Sequence, residues 1–279
     1  MKTLTIGKMA KLNGISEQTL RLYDKMGLVV PCEINKSTGY RYYNIRQCAQ
    51  LDMIQYLKSF NMTLAQIKDC FDTHSTDKLI SMLKEQKNIV EDNIRELRQA
   101  DWAIDRLLEN YKRYDAAPED NIPVLEFQHE RQAFVYDTGV NCYSYDMDRY
   151  ENVLRDLKDN VFSNDLPSSY FCNAGSILRK DNFDKGELES TELFVFVDDT
   201  HKDDKNVESI PEGMYMCLYC NGFNNEEESL KKLMKHIKEQ DYETEGDCLS
   251  EVLIEFPVFQ RYERKAFFKL QVPVRRKGI

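Results

Sequence analysis

Residues 19–28 read Thr19-Leu20-Arg21-Leu22-Tyr23-Asp24-Lys25-Met26-Gly27-Leu28, and they set the architecture of the N-terminal region. Ser16 is a good N-cap for a helix through this stretch, and Gly27 is a natural end for it. An earlier helix is indicated by apolar residues at helical spacing, and it stops at the turn pair Asn13-Gly14. The apolar residues of that first helix are Ile6, Met9, Ala10 and Leu12. Two short helices across a glycine turn predict a helix-turn-helix.

The chain that follows this motif predicts a wing and two further helices. Residues 31–43 contain Pro31, Ser37-Thr38-Gly39 and an aromatic run, which favour a hairpin over a helix. One amphipathic helix is expected over about residues 45–60, and another begins after Asn61-Met62-Thr63.

A single long helix is predicted from about residue 77 to residue 114, where Gly and Pro are absent. Apolar residues recur at every seventh position, which indicates a coiled-coil seam and a homodimer. These seam residues are Leu83, Val90, Leu97, Ile104 and Tyr111. Polar Gln86 and Asn93 beside them make the seam imperfect. The alternative is a helix that packs on its own domain.

Residues 116–121 are predicted to form a linker. The sequence after this linker predicts an antiparallel sheet with helices on one face. Strands are expected near residues 124–137, 170–179, 191–198, 213–221, 249–259 and 266–274, and helices near 146–162 and 225–240. The expected fold class is therefore α+β. The expected domains are a winged helix-turn-helix (1–75), a dimerisation helix (76–115), the linker (116–121) and a C-terminal domain (122–279).

Charge divides the chain unevenly, although the net value of -10 at first argues against nucleic acid. Residues 1–75 hold ten Lys or Arg against six Asp or Glu, a balance of +4. Residues 76–115 carry -1, and residues 116–279 carry -13. A basic head joined to an acidic body is compatible with a DNA-binding head.

The eight cysteines are spread from Cys32 to Cys248, which favours reduced thiols over a disulfide framework. Cys217 and Cys220 form a C-x-x-C, but in a strand residues three apart point to opposite faces. Packing in a strand is therefore favoured over a metal site. No apolar run is long enough to span a bilayer, and the start lacks a signal-peptide pattern, so we expect a cytoplasmic protein with no membrane contact.

Cations and hydroxylated aromatic residues lie along the second helix, the wing and the next helix. DNA backbone contacts need such donors. The group comprises Arg21, Tyr23, Lys25, the run Tyr40-Arg41-Tyr42-Tyr43, and Lys58. Alone, the tyrosine run is weak evidence, since tyrosines on a hairpin more often pack on their own domain than contact a ligand; its position after a helix-turn-helix is what favours DNA.

Three strings closely resemble the MerR family signature: Thr5-Ile6-Gly7-Lys8-Met9-Ala10, residues 19–28, and Thr38-Gly39-Tyr40-Arg41-Tyr42-Tyr43. The resemblance covers roughly residues 3–72. It implies a dimer that binds promoter DNA and has RNA polymerase as a partner. When an effector binds, the dimer distorts the duplex so that the polymerase can use the promoter. The DNA-binding candidates are Thr5, Lys11, Gln18, Thr19, Arg21, Tyr23, Tyr40, Arg41, Tyr42 and Lys58. Leu22 departs from the family, which usually has Tyr or Phe there.

The effector is predicted to be a small organic molecule. Metal-sensing and oxidant-sensing members of the family place cysteines near the dimerisation helix, whereas this chain has none between Cys70 and Cys142. We therefore expect no metal and no cofactor. Residues after the linker resemble the GyrI-like effector domain of multidrug-responsive regulators. That resemblance rests on Ile210-Pro211-Glu212-Gly213-Met214-Tyr215 and Ser250-Glu251-Val252-Leu253-Ile254-Glu255-Phe256-Pro257.

An acidic, aromatic pocket for a lipophilic cation is the physical expectation for this domain, because a buried carboxylate needs a positive partner and aromatic faces attract cations. Glu251 and Glu255 are four residues apart and are expected to share a strand face, with Glu251 preferred. The expected pocket walls are Tyr136, Tyr170, Tyr215, Tyr219 and Phe256. The alternatives are ordinary core packing for the aromatic residues and a solvated strand face for the glutamates.

An enzyme is not predicted. His74, His129, His201 and His236 are scattered, and none lies beside a nucleophile with a third orienting group. Two alternatives stay open from the sequence: a weak hydrolase activity involving Glu251, since some GyrI-like domains resemble hydrolases, and a C-terminal domain that binds a protein partner.

Overall fold

The computed structural model describes residues 3–73, 75–118, 122–144, 147–222, 225–256 and 265–278. These residues form two compact units, Met1–Arg95 and Glu96–Ile279. No helix in the described ranges is long and apolar enough to cross a membrane.

The first unit begins with the predicted helix-turn-helix. Ser16 caps the second helix, and its Oγ accepts a hydrogen bond from the Thr19 amide at 3.0 Å. Gly14 has φ of 65°, a left-handed conformation that suits a residue without a Cβ atom. The helices of this unit are α1 (Ile6–Leu12), α2 (Glu17–Lys25), α3 (Cys48–Ser59), α4 (Leu64–Thr73) and the first part of α5 (Thr76–Asp115).

The predicted wing is a hairpin of β2 (Glu33–Ile34) and β3 (Arg41–Asn44). A third strand that the sequence did not indicate, β1 (Thr3–Thr5), pairs antiparallel with β3. The strand order is β1-β3-β2. The wing is thus tied to the start of the chain, directly before α1.

One apolar core holds this head together. It joins both helices of the helix-turn-helix to α3, α4 and the wing. Its fully buried side chains include Met9, Leu20, Val29, Tyr43, Leu51, Ile54 and Ile67. Leu79, Met82 and Leu83 of α5 pack against the same core, so the first turns of the long helix are part of the head.

The second unit contains the rest of α5 and the C-terminal sheet. Its helices are α6 (Met147–Ser163), α7 (Lys180–Lys185) and α8 (Glu226–Glu239). Its strands are β4 (Val124–Gln128), β5 (Arg131–Asp137), β6 (Gly175–Leu178), β7 (Glu192–Val197), β8 (Val207–Ile210), β9 (Gly213–Asn221), β10 (Tyr242–Thr244), β11 (Cys248–Phe256) and β12 (Lys265–Arg276). The sequence missed the short elements α7, β8 and β10, and it merged β4 with β5.

The strands pair antiparallel in the order β4-β9-β12-β11-β6-β7-β5-β8, with β10 added beside β12. One face of the sheet packs against α6 and α8, in two apolar clusters. The opposite face, which we call the inner face, packs against Trp102 of α5. The expected α+β class is confirmed, with α6 and α8 on one side.

Strand alternation sorts neighbouring residues between these faces. Cys217 lies in the inner cluster and Cys220 in the outer one, as the spacing of the C-x-x-C predicted. Gly175 has no room for a side chain, since a Cβ atom there would lie 2.4 Å from the Ser250 carbonyl oxygen and 2.5 Å from the Phe194 ring. Its register partner across the strands is Glu251.

The two faces of α5 differ sharply in the second unit. The seam residues Leu97, Ile104 and Tyr111 are 70%, 58% and 47% exposed. Gln99, Ala103 and Asn110 are buried. The helix therefore packs on its own unit with one side and leaves the predicted seam uncovered. The domain boundaries stay a prediction; of the linker, residues 119–121 lie outside the described part.

Candidate functional site

The head presents most of the predicted DNA-binding residues on its surface. Exposed members are Lys11, Gln18, Arg21, Tyr40 and Lys58, and half-buried members are Thr19, Arg41 and Tyr42. Arg21 lies on α2 one turn after Glu17, with its Nη2 3.3 Å from the Glu17 carboxylate. Such an exposed pair is weak, so the guanidinium can be redirected to a phosphate at little cost.

Three predicted residues also serve the head itself. Arg41 of the wing donates from Nε to Asp24 of α2 at 2.7 Å, which fixes the wing against the second helix. Thr5 caps α1 by accepting a hydrogen bond from the Lys8 amide. Tyr23 is only 4% exposed and belongs to the apolar core, so packing accounts for its ring.

In the second unit, Glu251 lies on the inner face of β11 with no exposed surface. Its Oε1 accepts a hydrogen bond from Nη2 of Arg106 at 2.5 Å, and its Oε2 accepts one from Nε2 of Gln271 at 2.7 Å. Arg131 of β5 lies 3.8 Å from Oε2 and donates to Oε1 of Gln271 at 3.0 Å. The carboxylate is thus held by two guanidinium groups and an amide.

Aromatic rings surround these guanidinium groups. The Arg106 guanidinium carbon lies 4.0 Å from the centroid of the Phe196 ring and 5.8 Å from that of Trp102. Arg131 lies 5.1 Å from the centroid of Phe196 and 5.6 Å from that of Tyr215. Both cations are therefore positioned for cation–π attraction within a partly dry site.

A second ion pair occupies the same face. Lys269 of β12 is fully buried, and its Nζ donates to Oε2 of Glu126 at 2.7 Å. Tyr219 donates its hydroxyl to Oε1 of Glu126 at 2.8 Å. The Lys269 ammonium also lies 5.4 Å from the centroid of the Tyr219 ring.

Burial and charge act in opposite directions on both carboxyl groups. Burial raises the pKa of Glu251, but the positive charges of Arg106 and Arg131 outweigh it, so the net pKa lies below its ordinary value. The pKa of Glu126 is likewise lowered, because Lys269 and Tyr219 outweigh its burial. Both groups are carboxylates at neutral pH. The same burial raises the pKa of the Cys217 thiol to about 12, which leaves it protonated.

A cleft of about 480 Å³ opens beside this network. Its lining comprises Arg98, Trp102, Arg106, Glu130, Arg131, Gln132, Phe196, Val197, Asp198, Asp199 and Thr200. This volume lies in the range of small-molecule sites. Glu251 is not among the lining residues: the two guanidinium groups that contact it border the cleft instead.

The structure brings together only some of the predicted pocket residues. Tyr215, Tyr219 and Glu251 share the inner face. Tyr136 and Tyr170 pack in the cluster under α6, and Tyr170 lies in a 3₁₀ segment, Ser168–Cys172, where a strand was expected. The Tyr170 hydroxyl donates to Asp198 at 2.6 Å.

The expectation that the two glutamates share a face was wrong. A register irregularity between Val252 and Ile254 shifts the pairing of β11 with β12. Glu251 therefore pairs with Lys269, whereas Glu255 pairs with Ala266, three residues away, and is exposed. Phe256 ends the strand, and its side chain lies outside the described part of the chain.

Residues 4–73 match the family described as MerR HTH family regulatory protein. These residues therefore form a MerR-type helix-turn-helix domain. The chain is 24% identical to the multidrug-efflux transporter 2 regulator of Bacillus subtilis over 262 residues, which are 94% of this chain and 93% of the relative. It is 22% identical to the multidrug-efflux transporter 1 regulator of the same organism, over 97% of each chain. Its head is 44% identical over 64 residues to the transcriptional regulator BrlR of Pseudomonas aeruginosa, which are 23% of this chain and 24% of BrlR.

The sequence reasoning missed the cationic half of the inner face. Arg106, Arg131 and Lys269 were not among the predicted residues, nor were Glu126 and Phe196. One pattern could have indicated Lys269, because it interrupts the apolar run Phe267-Phe268-Lys269-Leu270 and falls on the buried side of a strand. Arg106 carries no comparable mark, since helix residues 96–115 are rich in charge throughout.

Proposed function

We propose that this chain is a homodimeric transcription regulator whose C-terminal unit binds a lipophilic organic cation near Glu251 and thereby changes how the head distorts promoter DNA for RNA polymerase. The observation that carries the ligand class is a fully buried carboxylate, Glu251, whose guanidinium partners Arg106 and Arg131 border a cleft lined by Phe196 and Trp102. A cation with aromatic substituents suits both features, by charge and by contact with Phe196 and Trp102.

The relatives support the same class of ligand. Two regulators similar to this chain over nearly their whole length are named for multidrug-efflux transporters. A regulator of such a transporter gains from a site that accepts varied molecules by shape-tolerant aromatic contact and one charge.

The dimer is supported by the uncovered seam of α5. Leu97, Ile104 and Tyr111 follow one another at seven-residue intervals and are 47–70% exposed. An exposed apolar stripe at seven-residue spacing on a long helix is typical of a coiled-coil surface. The head's exposed Arg21, Lys58 and Tyr40 are then duplicated in the two protomers, as binding to a near-palindromic site requires.

The test compares Glu251→Gln with Glu255→Gln in the full-length protein. Binding of tetraphenylphosphonium is measured by isothermal titration calorimetry, and binding of the protein's own promoter duplex by fluorescence anisotropy. We expect Glu251→Gln to weaken the cation at least about 10-fold, because it removes the buried charge. Glu255→Gln is the matched control, on the opposite strand face, and is expected to leave the cation affinity unchanged.

Promoter affinity without ligand is expected to be the same in both variants, since neither residue belongs to the head. Equal cation affinity in both variants, or no binding of the cation by the wild-type protein and by both variants, would contradict the proposed site.

A further inference from the structure

Arg106 of α5 occupies the position that a cationic ligand would take. Its guanidinium group contacts the Glu251 carboxylate at 2.5 Å and stacks over Phe196 at 4.0 Å. These are the carboxylate and the aromatic face that the proposed ligand would use. The side chain is only 14% exposed.

The neighbouring cleft is bordered by this guanidinium group. Glu251, which Arg106 contacts, does not line the cleft and has no exposed surface. Acidic residues of the lining, Glu130, Asp198 and Asp199, can attract a cation into the cleft, but a cation that approaches Glu251 there meets the like charge of Arg106. Coulomb repulsion opposes binding as long as Arg106 remains in place.

We propose that Arg106 is a built-in competitor for the effector: a cationic ligand binds Glu251 by displacing the Arg106 guanidinium, and this displacement frees the inner side of α5 from the sheet. The proposal rests on the proposed function, since it concerns the same carboxylate. It adds the competing residue and the helix that carries it.

The local contacts permit such an exchange. When Arg106 is displaced, Glu251 still accepts the hydrogen bond from Gln271, and Arg131 remains 3.8 Å away. The buried carboxylate is therefore not left without a partner. Asn110, one turn further along α5, is buried, and its amide oxygen and nitrogen find no hydrogen-bond partner among the described residues. Separation of this side of the helix would hydrate that amide and so offset part of the cost.

The position of Arg106 on α5 connects this exchange to the predicted dimer seam. Successive helix residues turn by about 100°, so Arg106 and the seam residue Ile104 point in nearly opposite directions. The helix runs without a break from Thr76 to Asp115. A shift that follows loss of the Arg106 contact therefore acts on the same rigid element that carries the seam.

The decisive variant is Arg106→Met, which keeps an unbranched apolar stem but removes the guanidinium group and its charge. Affinity for tetraphenylphosphonium is measured by isothermal titration calorimetry on the full-length protein. We expect an increase of at least about 10-fold over wild type, because a ligand that must displace a competitor loses affinity by the fraction of sites that are blocked.

Arg95→Met is the matched control: it makes the same change on the same helix, at an exposed side chain whose ion pair in the described part of the chain is with Asp92. Its affinity for the cation is expected to equal that of wild type. In the double variant Arg106→Met with Glu251→Gln, the gain should disappear, because the gain requires the carboxylate.

Unchanged or weaker binding by Arg106→Met, together with loss of binding in Glu251→Gln, would show that Arg106 does not compete with the ligand. The proposed ligand site at Glu251 would still be supported. Absence of binding in wild type, Arg106→Met and Arg95→Met would overturn both the proposed site and the competitor.

A measurement on the wild-type protein covers the case in which Arg106→Met fails to fold. Phenylglyoxal modifies accessible arginines, and mass spectrometry reports the extent at each one. Saturation with tetraphenylphosphonium is expected to raise modification of Arg106 several-fold and to leave Arg95 unchanged. Constant or reduced modification of Arg106 in the saturated protein would overturn the proposal.

Discussion

Glu251 and Lys269 are register partners on adjacent strands, yet each forms its ion pair with a different residue. The Glu251 carboxylate contacts Arg106 at 2.5 Å, whereas the Lys269 ammonium contacts Glu126 at 2.7 Å. Two ion pairs therefore lie side by side on the inner face, one tied to the helix and one to the edge strand β4. Each charge depends on a partner distant in sequence.

The Lys269 pair makes a prediction about stability. Lys269→Met leaves the Glu126 carboxylate without its cation, and breaking a buried pair from one side is costly, so we expect a loss of about 3 kcal/mol in the free energy of unfolding. The double variant Lys269→Met with Glu126→Gln should recover most of this loss, because no unpaired charge remains. Urea denaturation measures all three proteins.

The matched control for this prediction is Lys235→Met, at an exposed lysine near Glu239. Its effect should stay below about 0.5 kcal/mol, as for other exposed pairs. A double variant as unstable as Lys269→Met alone would show that packing of the lysine stem, and not charge pairing, is what the fold requires.

The lowered pKa of Glu251 predicts acid sensitivity. Its pKa is below the ordinary value of 4.5 because the charges of Arg106 and Arg131 outweigh burial. Stabilisation from this group is therefore complete above the ordinary value and is lost as pH falls through the lowered native pKa. The variant Arg106→Met with Glu251→Gln lacks the titrating group and should lose stability less steeply below about pH 4.5.

Urea unfolding of wild type and this double variant at pH 7, 5, 4 and 3 measures the difference. The slope can differ by at most about 1.4 kcal/mol per pH unit for one proton. Parallel curves for the two proteins would contradict a lowered pKa at Glu251.

The exposed seam predicts a dimer that one charge can disrupt. Leu97→Glu places a carboxylate on the seam of each protomer, and burial of two like charges should convert the dimer into a monomer at micromolar concentration. Analytical ultracentrifugation reports the change. Arg95→Glu, an equally drastic change on an exposed residue two positions away, should remain a dimer. Dissociation by both variants would count against the seam.

Substitutions of Arg21 and Tyr23 in the head are predicted to affect DNA affinity differently. Arg21→Gln should weaken binding of promoter and random duplex alike, and should reduce the slope of log K against log salt by about 0.9, as one phosphate contact does. Tyr23→Phe should leave the affinity unchanged, because that ring belongs to the core. Anisotropy titrations at several salt concentrations measure both. An Arg21→Gln protein with the wild-type slope would contradict the assigned contact.

The sequence by itself determined the head, the long helix and most of the strands. Their signals are local: the Ser16 cap, the Asn13-Gly14 turn and the seven-residue apolar repeat each act within a few turns of chain. The dimer seam stays a prediction, which rests on the spacing of apolar residues along one helix. The strand β1 was missed, since three residues gain their pairing only from the distant wing.

Only the tertiary structure decided which charged residues meet on the inner face. Arg106 and Glu251 lie 145 residues apart, and nothing near either residue shows that they meet. The irregularity in β11 turned Glu255 away from Glu251 where strict alternation would have kept them together. Periodicity reports which side of an element is buried, but the partner of a buried charge depends on how separate elements pack, and packing is a property of the folded chain as a whole.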